Sequence, residues 1–250
     1  MSGHSKWSTI KRKKAVTDAR RGKIFTQIIK EITIAAKMGG GNPDSNSRLR
    51  LAIDKAKANN MPADNIKRAI QKGTGELPGV NYEDALYEAY GASGVAIIIE
   101  TVTDNKNRTV SDIRHILERN HGKPASSGSV LFQFHKKGFL HISRSIVPED
   151  DLLSTILEAG AEDLKTDDEE YSVICLPENF EPVKKAVEAK GIKITSADIH
   201  LVADNTVKIE GKDAESVLKL MDALEEHEDV QKVHANFEID DKELARIHLG

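Results

Sequence analysis

A chain of 250 residues suffices for one large domain or two to three small ones. With 39% hydrophobic and 30% charged residues it is neither a disordered nor a fibrous protein, and no apolar run approaches the ~20 residues of a membrane span. The formal net charge of -4 conceals a division, since residues 1–76 carry 17 Lys and Arg against 6 Asp and Glu, and the rest carry 19 against 34.

That asymmetry points to a polyanion-binding module attached to an acidic body. The alternative is a positive lobe packed on a negative one, although surface ion pairs individually contribute little. The lone thiol, Cys175 in YSVICL, can form no internal disulfide, so nothing requires an oxidising compartment. The N-terminus lacks the apolar segment of a secretory signal and runs without a break into a patterned helix, so the chain is read as cytoplasmic.

In chain order, the spacing of Phe25, Ile28, Ile29, Ile32 and Ala36 predicts a half-buried helix over 16–38, stopped by Gly39-Gly40-Gly41. Lys23, Lys30 and Lys37, seven apart, align along another face of it. Asp44 or Ser45 is expected to cap a second helix with Leu49, Ala52, Ile53 and Ala56 inward. Asn59-Asn60-Met61-Pro62 ends that helix. A third follows with Ile66, Ala69 and Ile70 inward and Lys67, Arg68 and Lys72 outward. Three short helices with short connections make a bundle.

The period then changes. Ala85–Tyr90 and Val95–Thr103 read as strands, the second being β-branched and nearly continuous, and a helix of about ten residues follows the loop TDNKNR. SVLFQFHKKGFLHIS reads as a hairpin turning at Lys136-Lys137-Gly138. A helix at 149–159, strands near 163–166 and 170–176, a helix at 178–189 and a strand at 192–201 come next. The chain closes with a strand at 206–210, a helix at 213–226 and a strand at 230–237. Two α+β units accommodate these elements if one is inserted in the other. The expected organisation is a basic bundle at 1–76, an α+β domain from 77–145 with 205–250, and an inserted α+β domain at 146–204.

Chemistry concentrates at the start. Lys6, Lys11, Arg12, Lys13 and Lys14 cannot share one helical face and form a broad cationic arm, which phosphate backbones favour through counterion release. About seven such contacts would give log K against log salt a slope of roughly -6 on duplex DNA. Trp7, beside His4, offers either a surface for stacking an exposed base or a staple onto the bundle. Arg20, Arg21, Lys23, Lys30, Arg48 and Arg50 extend the basic surface, and Asn42 stands in a glycine-rich interhelical loop that lacks the Gly-Lys-Ser/Thr ending of a nucleotide-binding loop. In TDNKNRT, Asn107 can cap the following helix while Lys106 and Arg108 flank its free N–H groups. That makes a candidate secondary anion site, or a capped turn and nothing more.

The four carboxylates of TDDEEY read as a charged turn, since they lack the pattern of a calcium loop. No histidine forms HExxH, no GxSxG occurs, and no nucleophile, base and orienting acid assemble in a recognisable spacing, so neither enzymatic activity, a metal nor a cofactor is expected.

GHSKW at 3–7, the adjoining run of bases, DARRGKIFTQIIKEI, GGGNPDSNSRLR, NMPADNIKRAIQKGTG and TDNKNRT together resemble the YebC/PmpR family, which includes the mitochondrial translational activator of cytochrome oxidase. The resemblance covers the whole chain. It implies a multidomain α and α+β protein, with a three-helix bundle and two ferredoxin-like α+β domains. It further implies either a DNA-binding transcriptional regulator or a ribosome-associated translation factor that relieves stalling at proline runs. By position, the GHSKW arm and the neighbouring bases would be the nucleic-acid contact.

Overall fold

The computed structural model describes residues 18–249. Helix α1 spans Asp18–Gly39, α2 Ser47–Ala58 and α3 Ala63–Thr74. The apolar stripe of α1 packs Ile28, Ile32, Ala35 and Ala36 against Leu49, Ala52, Ile53 and Ala56 of α2 and Ala69 of α3. The cap of α2 is Asn46 rather than Asp44 or Ser45. Its Oδ1 accepts from Leu49 N (3.0 Å) while its Nδ2 donates to Ala35 O and Gly40 O (2.8 and 2.9 Å). The position must donate to the end of α1 as well as accept from α2, and a carboxylate cannot do both. Gly73 sets how closely α3 approaches α1, since a Cβ there would lie 2.3 Å from Thr33 O and 2.7 Å from the Ala36 Cβ.

This bundle belongs to one compact unit with 77–132 and 205–250. Strands β1 (Glu83–Tyr90) and β2 (Ala96–Thr103) pair antiparallel, with Glu88 opposite Ile98. Helix α4 (Lys106–Arg119) leads to the short β3 (Lys123–Pro124), and α7 (Gly211–Glu225) leads to β9 (Val230–Ala235). The sheet order is β3-β1-β2-β9, so β1 lies between β2 and β3, and β2 between β1 and β9. The stretch β2-α4-β3 is thus a split β-α-β path with β1 between its two strands. Ile97, Ile99, Ile113, Leu117, Val217, Leu220, Met221, Val233 and Phe237 are buried in one core between this sheet and its helices. A two-stranded parallel pair, β8 (Val207–Lys208) with β10 (Phe237–Glu238), and helix α8 (Asp241–Leu249) complete the unit.

The second unit runs from 133 to 204. It contains β4 (Phe134–Ser143), α5 (Glu149–Glu158), β5 (Ala161–Thr166), β6 (Glu170–Cys175), α6 (Phe180–Ala189) and β7 (Ser196–Ala203). Every pairing is antiparallel in the order β5-β6-β4-β7, which is the β-α-β-β-α-β ferredoxin-like arrangement.

Two expectations fail together here. SVLFQFHKKGFLHIS is not a hairpin: Leu131–Gln133 forms one 3-10 turn and the chain then runs as a single strand through Lys136, Lys137 and Gly138. Gly138 is there because a Cβ would meet Phe180 Cδ2 at 2.6 Å and Cys175 Sγ at 2.8 Å, so this glycine marks close packing and not a turn. That strand is the first of the inserted ferredoxin-like unit. The insertion therefore begins at 133, not 146, and the host unit extends to 132, not 145.

Candidate nucleic-acid interface

The arm residues His4, Lys6, Trp7, Lys11, Arg12, Lys13 and Lys14 lie outside the described residues. Arg20 lies in the first turn of α1, and Arg21 is exposed beside it.

The lysine stripe of α1 is one face, as its spacing predicts, but at Lys23 and Lys30 that face looks into the protein, and only Lys37 is exposed. Lys23 Nζ donates to Glu225 O, the last carbonyl of α7. Gln27 Nε2 donates to Val230 O (2.6 Å), and Lys37 Nζ to Asn81 Oδ1 and Tyr82 O. Lys30 is 6% exposed, with Nζ 2.6 Å from Asp229 Oδ1 and 3.2 Å from Glu228 O. Lys23 and Lys30 thus satisfy carbonyls at and just beyond the C-terminal end of α7, where positive charge is favourable. The sequence reading assigns Lys30 to nucleic acid. Buried and paired, it cannot reach a phosphate without breaking its bond to Asp229. Lys23 is likewise turned to α7.

Arg48 is also committed. Its guanidinium takes both oxygens of Asp84, each at 2.8 Å, and both oxygens of Glu31 at 2.7 and 3.0 Å. The bonds to Asp84, ahead of those to Glu31, hold its pKa above the ordinary value in spite of burial. Arg50 Nη1 donates to Pro43 O (3.1 Å) and Asp44 O (3.4 Å), bracing the loop before α2. Asn42 is exposed and makes a local turn in which its Oδ1 accepts from Asp44 N (3.0 Å).

The secondary anion site is corrected in two respects. The cap of α4 is Asn105, whose Oδ1 accepts from Arg108 N (3.1 Å), because the helix starts earlier than a cap at 107 would allow; Asn107 is exposed on the first turn. The place for an anion is already taken by Asp229, which is fully buried. Its Oδ2 accepts from Thr109 Oγ1 (2.8 Å) and Thr103 Oγ1 (3.2 Å) and lies 3.3 Å from Arg108 Nη2. Burial alone would raise the Asp229 pKa, but the bonds from Lys30 and Thr109 and the nearby positive charge outweigh it and hold the carboxyl below its ordinary range. Lys106 is paired with Glu83 at 2.6 Å, and Arg108 with Asp104 at 2.7 Å.

Sequence reasoning places Lys67, Arg68 and Lys72 outward but counts neither them nor Lys55 and Lys57 among the contacts. Lys55, Lys57, Lys67, Arg68 and Lys72 are exposed. No cue in the sequence separates them from Lys30 or Arg48, because the partners are carboxylates and carbonyls distant in the chain.

A serine, a histidine and a carboxylate meet on the inserted sheet, where His141 Nδ1 is 3.1 Å from Ser172 Oγ and 3.4 Å from Glu170 Oε2. Both oxygens converge on the same ring nitrogen. A relay needs the nucleophile on one nitrogen and the acid on the other, so this cluster does not build one. Among the described residues no three or more His, Cys, Asp or Glu side chains come together to hold a metal, and no helix is long and apolar enough to cross a membrane.

A basic three-helix bundle joined to an acidic sheet domain that carries a ferredoxin-like insertion defines a multidomain α and α+β protein. Residues 5–76 match the TACO1/YebC protein N-terminal domain, and residues 82–237 match the TACO1/YebC second and third domain. The chain belongs to the TACO1/YebC family. It is 55% identical over 249 residues to a "Probable transcriptional regulatory protein" of Chloroherpeton thalassium, covering 99% of this chain and 100% of that one. A protein of the same description from Prosthecochloris aestuarii is 55% identical over 245 residues, 98% of each chain. The crystal structure of a conserved hypothetical protein from Aquifex aeolicus superposes with a TM-score of 0.82 at 44% identity, covering 90% of this chain and 93% of that one.

Proposed function

We propose that this protein is a non-enzymatic, cytoplasmic regulator of gene expression that binds nucleic acid through its basic N-terminal region. The observation that carries the reading is the division of charge, 17 Lys and Arg against 6 Asp and Glu in residues 1–76 on a chain of net charge -4. Phosphate backbones reward such a concentration of cations through counterion release, whatever the base sequence. The names of its relatives favour a regulator of transcription, a role in which the nucleic acid bound would be DNA.

A second reading, a ribosome-associated translation factor that relieves stalling at difficult stretches such as proline runs, is favoured by a different observation. Duplex readers present Arg or Asn from a helix to base edges in the major groove. Here Arg48 is held by two carboxylates and Arg50 by its own loop. A cationic N-terminal sequence with a tryptophan suits irregular RNA with splayed bases better.

Salt-titrated co-sedimentation with purified ribosomes, repeated with excess duplex DNA, tests the two together. Binding that survives physiological salt and DNA competition assigns RNA as target. Displacement by DNA assigns the transcriptional role, and absence of binding to either sinks the proposal. Replacing Lys11, Arg12, Lys13 and Lys14 with alanine should weaken binding to all sequences and flatten its salt slope by about one for each phosphate-bound cation removed.

A further inference from the structure

We infer that the outer face of α3, built by Lys67, Arg68 and Lys72, is a phosphodiester-binding surface distinct from the N-terminal arm and replaces the lysine stripe of α1 in that role. The inference rests on the nucleic-acid reading above and names the residues through which the folded bundle meets the backbone.

The helix is locked in rotation. Ile66, Ala69 and Ile70 face the bundle core, Thr33 Oγ1 of α1 donates to Ala69 O (3.3 Å), and the Gly73 position touches α1 backbone. Lys67, Arg68 and Lys72 are thereby fixed on the opposite side, all exposed, with Arg68 and Lys72 one turn apart. Asp64 is the sole acid within α3.

The rest of the unit shows what the fold does with cations it uses structurally. Lys30 takes Asp229, Arg48 takes Asp84 and Glu31, Lys106 takes Glu83, and Arg108 takes Asp104. The three on α3 make no ion pair with a described residue in a chain holding 40 Asp and Glu. For two of the three, a helix-end explanation is missing as well. Lys72 lies in the last turn, where positive charge is favoured, as do Lys55 and Lys57 in α2. Lys67 and Arg68 are mid-helix, where the helix dipole gives no such return. Solvated cations on a rigid scaffold, three of them against Asp64 in the first turn and Glu76 just past the helix, are what counterion release exploits. DNA and RNA offer the same phosphodiester, so the probe distinguishes them.

The test uses the full chain and fluorescence anisotropy with two labelled probes, a mixed-sequence single-stranded RNA of about 20 nucleotides and a DNA duplex of about 20 base pairs, over a salt series. The triple variant Lys67→Gln, Arg68→Gln, Lys72→Gln should flatten the slope of log K against log salt by ~2.7 on duplex or ~2 on single strand. The probe that shows the larger fraction of its expected loss is the preferred target. Lys67→Arg with Lys72→Arg, which keeps the charge, should retain the wild-type slope, and thermal melting of each variant should match the wild type. A triple variant with unchanged slopes on both probes, while the arm variant loses its own, overturns this surface and leaves the proposed function standing. An equal loss in the arginine variant overturns it too, and a wild-type protein with no salt-dependent binding overturns both.

Discussion

Lys30 Nζ and Asp229 Oδ1 stand 2.6 Å apart with side-chain exposures of 8% and 0%, so the bundle is tied to the sheet through an ion pair withdrawn from water. Asp229 also gathers Thr103, Thr109 and Arg108, which joins the end of β2, the first turn of α4 and the entry to β9 at one carboxylate.

Removing one partner of such a pair strands the other. Lys30→Met, which leaves Asp229 with only its hydroxyl partners and Arg108, and Asp229→Asn, which leaves a buried ammonium, should each destabilise by ~3–5 kcal/mol. The double variant should recover part of that loss. Chemical denaturation read as a double-mutant cycle measures it, and strictly additive losses would show the pair to be uncoupled.

Acid should act through two buried carboxylates. Glu88 is buried on β1 and accepts backbone N–H bonds from Val130 (2.6 Å), Leu131 (2.9 Å) and Gly128, which hold its pKa below the ordinary value although burial pushes the other way. Asp229 is depressed as well. A depressed folded-state pKa contributes stability that is complete above the unfolded-state value and lost as pH falls through the folded one. Stability should therefore decline on acidification below the ordinary carboxylate range. Glu88→Gln, which swaps two acceptor oxygens for one and adds a donor facing N–H groups, should cost ~1–3 kcal/mol at neutral pH and flatten the acid limb of the stability curve. An unchanged acid limb in that variant would remove Glu88 from the account.

Close packing at two glycines predicts two outcomes in separate units. Gly73→Ala must push α3 off α1, and Gly138→Ala must displace Phe180 or Cys175. Each should cost ~1–3 kcal/mol as overpacking. Thermal melting checks both, and Gly73→Ala should in addition perturb the presentation of Lys67 and Arg68.

Cys175 is wholly buried, and burial, reinforced by Glu162 and opposed by Lys137, pushes its thiol pKa up to about 11. It should resist thiol reagents at pH ~8 in the folded protein and react fully in denaturant. Rapid labelling of native protein would contradict the packing of β6 against α6.

Much of this is readable from periodicity. The inward residues of α1–α3 and the continuous β2 follow from apolar spacing, whereas element order alone fits a linear succession of α+β units as well as an insertion. The failures share a cause, which is that one residue type serves two physical ends. Gly138 reads as a turn because nothing local announces Phe180 and Cys175 across the sheet. The heptad of Lys23, Lys30 and Lys37 identifies a face correctly and says nothing of what it faces, since Glu225, Glu228 and Asp229 lie some 200 positions away. The positive lobe does pack on acidic partners in part, as the alternative to a polyanion site allows, while α3 remains open.

The inserted unit begins and ends on a single hydrogen bond, Asp204 N to Gln133 O at 2.9 Å. Its entry and exit strands, β4 and β7, are antiparallel partners, with Phe134 opposite Ala203. To the host chain the whole ferredoxin-like module is therefore equivalent to a tight loop between Phe132 and Asn205. Such a cassette can be gained, exchanged or excised without rethreading the host sheet, and a short peptide bridge would close the gap it leaves.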